Sequence, residues 1–334
     1  ANSVRDKAKQ LIHLSFPTYR FGSYSLEEGL LVLAVYLGIA WFVLPPQAFW
    51  SPDEGAKLLQ LQHLRLENGR LAYDIEYTGR RLDPDLQFAS GGLLQVNDKR
   101  LYLQRFPIFP WLTLPFFRWF GLRGLYIIPA ISGAVITVLT LQLLQPRGRR
   151  LALWILIAFA SPVLIYASIF WEHTLTTALC LGAAWLSFQI GPIGRAASFR
   201  QIIGWAIIGL ILAISAYIRS ETVFFALAWL LAYWLLIPRG RWGVVWAGIS
   251  LGVMLLLYVP LHRAMFGQTE KIFHSSFLTG FHPLGYLERA GWQVIPDLLI
   301  GAPEDEAIAV GWLGWIWAIS AIAAVGFSFV PNSR

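Results

Sequence analysis

The sequence predicts an all-α polytopic membrane protein of about eight transmembrane helices, with a long first exterior loop carrying juxtamembrane helices. Three observations predict it. Of 334 residues, 57% are hydrophobic and only 13% charged, and the mean hydropathy is +0.57, a balance that water-soluble globular chains rarely have. Apolar runs of spanning length recur along the chain. Cations gather in alternate connections between them.

In order, the runs cover 29–49, 122–144, 151–169, 174–190, 202–218, 222–238, 242–260 and 312–330, each near the roughly 17 to 25 residues that cross hydrocarbon as a helix. The segment 106–120, FPIFPWLTLPFFRWF, holds three prolines and an arginine. It reads as a broken, aromatic-rich helix in the interface, which would count as a ninth, re-entrant element.

Orientation follows from the cations. One set of connections carries Arg5, Lys7, Lys9 and Arg20, then Arg147, Arg149 and Arg150, then Arg195 and Arg200, then Arg239 and Arg241, with Arg334 at the end. The acids on that side are Asp6, Glu27 and Glu28, so it is expected to be cytoplasmic. On the other side, acids and bases nearly balance in loop 50–121, and acids outnumber bases in loop 261–311. The expected layout is a cytoplasmic segment 1–28, a transmembrane core 29–260 that includes loop 50–121, a second exterior loop 261–311, and a last helix with a short tail, 312–334. The place is a cell (inner or plasma) membrane, with the functional face toward the periplasm or exterior.

Several function classes drop out. The net charge of +7 reports topology and contact with anionic lipid, and implies no nucleic acid. The single cysteine, Cys180, falls in an expected span, which excludes an intrachain disulfide and a cysteine metal site. The polar N-terminal stretch carries no cleavable signal pattern, and a chain starting at Ala1 implies processing or trimming. The ionisable residues gather at helix ends and no internal repeat is visible, which argues against a transporter or flippase of a lipid-linked solute.

The chemistry-bearing residues lie at three exterior junctions. The first is Ser51-Pro52-Asp53-Glu54-Gly55, two adjacent carboxylates directly after a span, where anchoring would use aromatic and basic residues. The following segment to Gly69 reads as a surface helix with Asp53, Lys57, Gln60, His63 and Glu67 on one face. Ser51-x-x-Glu54 with Pro52 at the first helical position is also a capping box, which needs no catalysis. The second junction holds Trp171-Glu172-His173 and the third Arg219 and Glu221. Charges there can be mere topological stops or an internal Arg–Glu pair, while the functional reading gives a lipid phosphate to Arg219, whose planar fork grips phosphate oxygens. Asp53 and Glu54 with His63 or His173 could ligate a divalent ion, but the spacing is not diagnostic and the expectation is no metal and no cofactor. Later in the first loop, Asp83-Pro84 and Gly91-Gly92 are breakers, and 93–103 around Asn97-Asp98 predicts a hairpin.

A first span, a Pro-Asp-Glu motif on a juxtamembrane helix, Leu66-Glu67-Asn68-Gly69-Arg70-Leu71, then RFPIFPWLTLPFFRWFG leading into GLYIIPAISGAVITVLTLQLL: this order resembles the GT-C class of polytopic glycosyltransferases. It is most similar to the bacterial branch with aminoarabinose transferases and protein O-mannosyltransferases. The resemblance covers about 29–240. It implies transfer of a sugar from a polyprenyl-phosphate donor to an acceptor lipid, glycan or protein on the exterior face, by an inverting displacement. Asp53 matches the family's catalytic acid, with Glu54 beside it, and Arg219, Glu221, Lys57, His173, Glu172 and Arg105 are then the residues expected around the donor phosphate and substrate. Relatives usually carry more spans or a soluble exterior domain, so a compact enzyme, a trimmed chain and a noncatalytic subunit of a membrane complex all remain open.

Overall fold

The computed structural model describes residues 23–44, 52–67, 70–72, 74–76, 81–82, 84, 94–97, 100–103, 107–144, 150–193 and 198–266. The expected N-terminal segment up to residue 22, the loop 267–311, the last span 312–330 and Arg105 lie outside these residues.

Helix α1, Ser23–Gly38, continues as a π-helical turn, Ile39–Val43. It stops at Leu44, held extended (φ −82°, ψ 137°), the conformation that a following proline imposes. Helix α2 is Pro52–Gln62. Two antiparallel hairpins follow, β1 Arg65–Glu67 with β2 Arg70–Ala72, and β3 Leu94–Asn97 with β4 Arg100–Leu103. The second is the hairpin expected around Asn97-Asp98. The first replaces what the sequence suggested was the end of a helix running to Gly69, because Leu64 and Arg65 already leave the helical path.

Helix α3, Ile108–Phe120, is continuous where a broken element was expected. Pro107 stands at its N-cap and Pro110 in its first turn, positions with no intrahelical N–H bond to lose, so only Pro115 interrupts the ladder. The real break is Gly121, at φ +60°, which turns the chain into a 3-10 segment, Gly121–Tyr126. Helices α4 (Ile127–Leu144), α5 (Arg150–Phe159) and α6 (Pro162–Ala167) follow. The single span expected over 151–169 is thus two helices. Pro162 cannot continue α5, and Ser161 starts α6 afresh by accepting a hydrogen bond from the Val163 amide. Helix α7 is His173–Ile190, and α8, Phe199–Ile218, opens on a capping box between Ser198 and Gln201. Helix α9 is Thr222–Leu236 and α10 is Arg241–Phe266.

Among the described residues, four segments are long and apolar enough to cross a membrane: Leu26–Val43, Ile108–Leu144, Phe199–Ile218 and Pro238–Tyr258. The helices α5 and α9 are apolar but shorter, with 10 and 15 residues. Leu227, Leu231, Leu235 and Leu256 are exposed, a belt of apolar surface suited to lipid and costly in water.

Helix α8 is central, packing against α7 and α10, while α4 packs against α7 and α1. Its seam with α10 is close: a Cβ on Gly209 would stand 2.1 Å from the Ala247 carbonyl oxygen. Such small-residue contact lets helix backbones approach where the hydrophobic effect does not drive them together. Around it, Trp205, Ile208, Leu212, Ala213, Tyr233 and Leu251 form one buried cluster. A second cluster joins Leu61 of α2, and Leu64 just after it, to Phe109, Leu125, Tyr126, Phe170 and Ile218, and this seats α2 on the bundle.

Candidate functional site

Three junctions separated by long stretches of sequence meet around α2. The polar face of α2 is turned inward: Glu54 and Gln60 are fully buried and Lys57 is 4% exposed, while Leu59 is 43% exposed. The sequence puts Lys57 and Gln60 on one face of a surface helix, and the structure turns those two side chains inward. Their burial has a physical cause, since polar groups are tolerated inside only when paired, and the other junctions supply the pairs.

The first pairing uses backbone. Between α6 and α7 the chain is unwound from Ser168 to Glu172, and in that stretch the Phe170 amide donates to Oε1 of Glu54 at 2.9 Å. Ser51 lies outside the described residues, and with it the expected capping box. The Glu54 carboxylate thus binds the α6–α7 junction and ties α2 to it.

The second pairing is ionic. Lys57 Nζ lies 2.5 Å from Oε2 of Glu172 and 3.6 Å from Oδ2 of Asp53. Glu172 is itself 2% exposed. Its other oxygen, Oε1, accepts from Nη1 of Arg219 at 3.4 Å, so one carboxylate joins α2 to the end of α8. Nη1 of Arg219 also lies 3.3 Å from Nδ1 of His173, and Nη2 donates to Oε1 of Glu221 at 2.7 Å.

Aromatic rings close one side. His173 lies nearly parallel to Tyr166 and Trp171, with centroids 4.7 Å away from each. Lys57 Nζ stands 5.8 Å from the Trp171 ring centroid, within cation–π range.

Of the eight residues expected at the site, the fold therefore brings seven together: Asp53, Glu54, Lys57, Glu172, His173, Arg219 and Glu221. Sequence reasoning did not single out Tyr166, the Phe170 amide or the inward role of Gln60. Ser161-Pro162 was a readable helix stop that would have pointed to the break between α5 and α6, one short helix before the unwound stretch. His63 points back to its own helix, its Nδ1 contacting the Leu59 carbonyl at 2.8 Å. Among the described residues no three His, Cys, Asp or Glu side chains are grouped to hold a metal ion.

The network contains four carboxylates, Asp53, Glu54, Glu172 and Glu221, and two cations. Asp53 is the reachable one of the α2 pair, at 25% exposure against none for Glu54. No family model, no curated protein and no solved structure matches the chain.

Proposed function

We propose that this chain is a membrane glycosyltransferase that moves a sugar from a polyprenyl-phosphate donor to a hydroxyl acceptor on the exterior face of the membrane. The observation that carries this reading is the convergence of a partly exposed carboxylate, a phosphate-competent arginine and flanking aromatics from three helix junctions. In the reaction, the acceptor oxygen forms a bond to the anomeric carbon as the bond from that carbon to the phosphate oxygen breaks. The acceptor proton passes to Asp53, and the electron pair leaves on the carrier phosphate, next to Arg219. Lys57, enclosed between two carboxylates, acts by holding Asp53. Glu54 acts by fixing α2 to the Phe170 amide.

Purified protein in nanodiscs should release polyprenyl phosphate from a radiolabelled sugar donor, and release by wild type and Asp53→Asn alike would remove the catalytic assignment. Orientation has its own check. Cysteine at Ser90 should react with an impermeant maleimide in spheroplasts and cysteine at Gly148 should not, and the reverse result would move the site to the cytoplasm.

A second reading is favoured by one observation. Both cations of the cluster are already paired within the chain, which suits a noncatalytic subunit whose site has become a structural clamp. Absence of turnover together with co-purification of a stoichiometric membrane partner would select it.

A further inference from the structure

We propose that Glu221 is an internal stand-in for the donor phosphate, occupying the outer edge of Arg219 in the resting protein and swinging out when a prenyl phosphate arrives. The inference rests on the glycosyltransferase reading for the identity of the anion, but its geometry is independent of turnover.

The two edges of the Arg219 guanidinium are held differently. Nη1 faces Glu172, 2% exposed, and His173, at 3.4 and 3.3 Å. Nη2 faces Glu221, whose side chain is 60% exposed, at 2.7 Å. The shortest contact of the partly buried arginine is thus to the most exposed carboxylate around it. An exposed ion pair is weak because water and salt compete for both partners. A phosphate brings more charge and more acceptor oxygens to the same donors.

Glu221 can leave without unravelling the junction. It is the N-cap of α9 but makes no side-chain cap hydrogen bond. The first amides of α9 are satisfied by backbone instead: Thr222, Val223 and Phe224 donate to the carbonyls of Arg219, Ser220 and Glu221 at 3.1 Å each. Meanwhile the Arg219 carbonyl accepts from Oγ1 of Thr222 at 2.8 Å, which fixes the residue that must stay. In a cluster with four carboxylates and two cations, an incoming anion gains most where it displaces a carboxylate. Glu221 is the one at the rim.

The sign of one substitution separates this from a supporting role. If Glu221 competes with the anion, Glu221→Gln should tighten binding; if it merely steadies Arg219, the same change should weaken it. The probe is farnesyl phosphate, titrated into full-length protein in nanodiscs of neutral lipid. Glu221→Gln should bind about two- to fivefold tighter than wild type, the range expected from removing a competing exposed ion pair. Arg219→Gln should abolish the gain in the Glu221→Gln background. Equal or weaker binding by Glu221→Gln, or no binding by either protein, would overturn the proposal. Sugar transfer is measured on the same preparations. Transfer without tighter binding sinks the stand-in and leaves the enzyme. Tighter binding without transfer from any prenyl-phosphate sugar does the reverse.

Discussion

Two ion-pair sites join distant parts of this chain, and they are built on different terms. Arg150 at the start of α5 grips Glu28 of α1 with two hydrogen bonds of 2.7 and 2.6 Å, yet their side chains are 37% and 23% exposed. Lys57 and Glu172 are 4% and 2% exposed and belong to a chain of charges that runs on to Arg219. The first has the better geometry and the second the deeper burial. A pair open to water gains little from its geometry, whereas a buried pair is strongly constrained because neither partner can be left alone. Burial, more than the number of hydrogen bonds, marks where the fold has committed charge to a purpose.

Breaking the buried pair should have the largest effect. Lys57→Met should destabilise the protein by about 3–5 kcal/mol, the scale for orphaning a buried charge, with Glu172→Leu in the same protein restoring much of it. Thermal unfolding in detergent checks this, and additive losses would mean that the two charges do not depend on each other. Asp53→Asn should lower turnover by about 10²-fold or more while leaving thermal stability within about 1 kcal/mol of wild type, because this residue is at the accessible edge of the network. Parallel losses of stability and turnover would place Asp53 with the structural charges instead.

A control away from both charge sites comes next in size. Gly209→Val forces side-chain atoms into the Ala247 carbonyl at the α8–α10 seam, and should cost about 1–3 kcal/mol of stability with donor affinity unchanged. The smallest effect should be at the water-exposed pair. Arg150→Gln should cost about 0.2–1 kcal/mol, and the loss should shrink at high salt. A loss from Arg150→Gln as large as from Lys57→Met would undo the comparison.

Part of this was legible in the residues. The positive-inside pattern led to the expectation that Asp53, Glu172 and Arg219 share one side of the membrane, and the structure brings the three into one network. The hairpin 94–103 follows from alternation around Asn97-Asp98. The inward face of α2 was not legible, because a helical wheel reports which residues share a side but not whether partners await them there. Glu54 is the clearest instance: Ser51-x-x-Glu54 reads as a local cap, while one partner that the fold gives its carboxylate is a backbone amide 116 residues away. The split of 151–169 into α5 and α6 was outweighed by continuous hydrophobicity, although Ser161-Pro162 carried the signal. Proline pulled the reading the other way in α3, where two of three prolines stand at positions that tolerate them.

The unwound stretch between α6 and α7 has a consequence for biogenesis. The chain enters the membrane in sequence order, so Glu54 is made well before the Phe170 amide that it binds, and Glu172 is made 47 residues before Arg219. At usual translation speeds the first interval is on the order of ten seconds. Throughout it, the carboxylates and the ammonium of α2 have no partners from the later junctions and must remain in contact with water. Helix α2 is therefore bound to wait at the membrane surface, and the site closes only when the third junction arrives. A nascent chain halted before Arg219 should leave α2 open to added protease, and a chain extended past Glu221 should protect it.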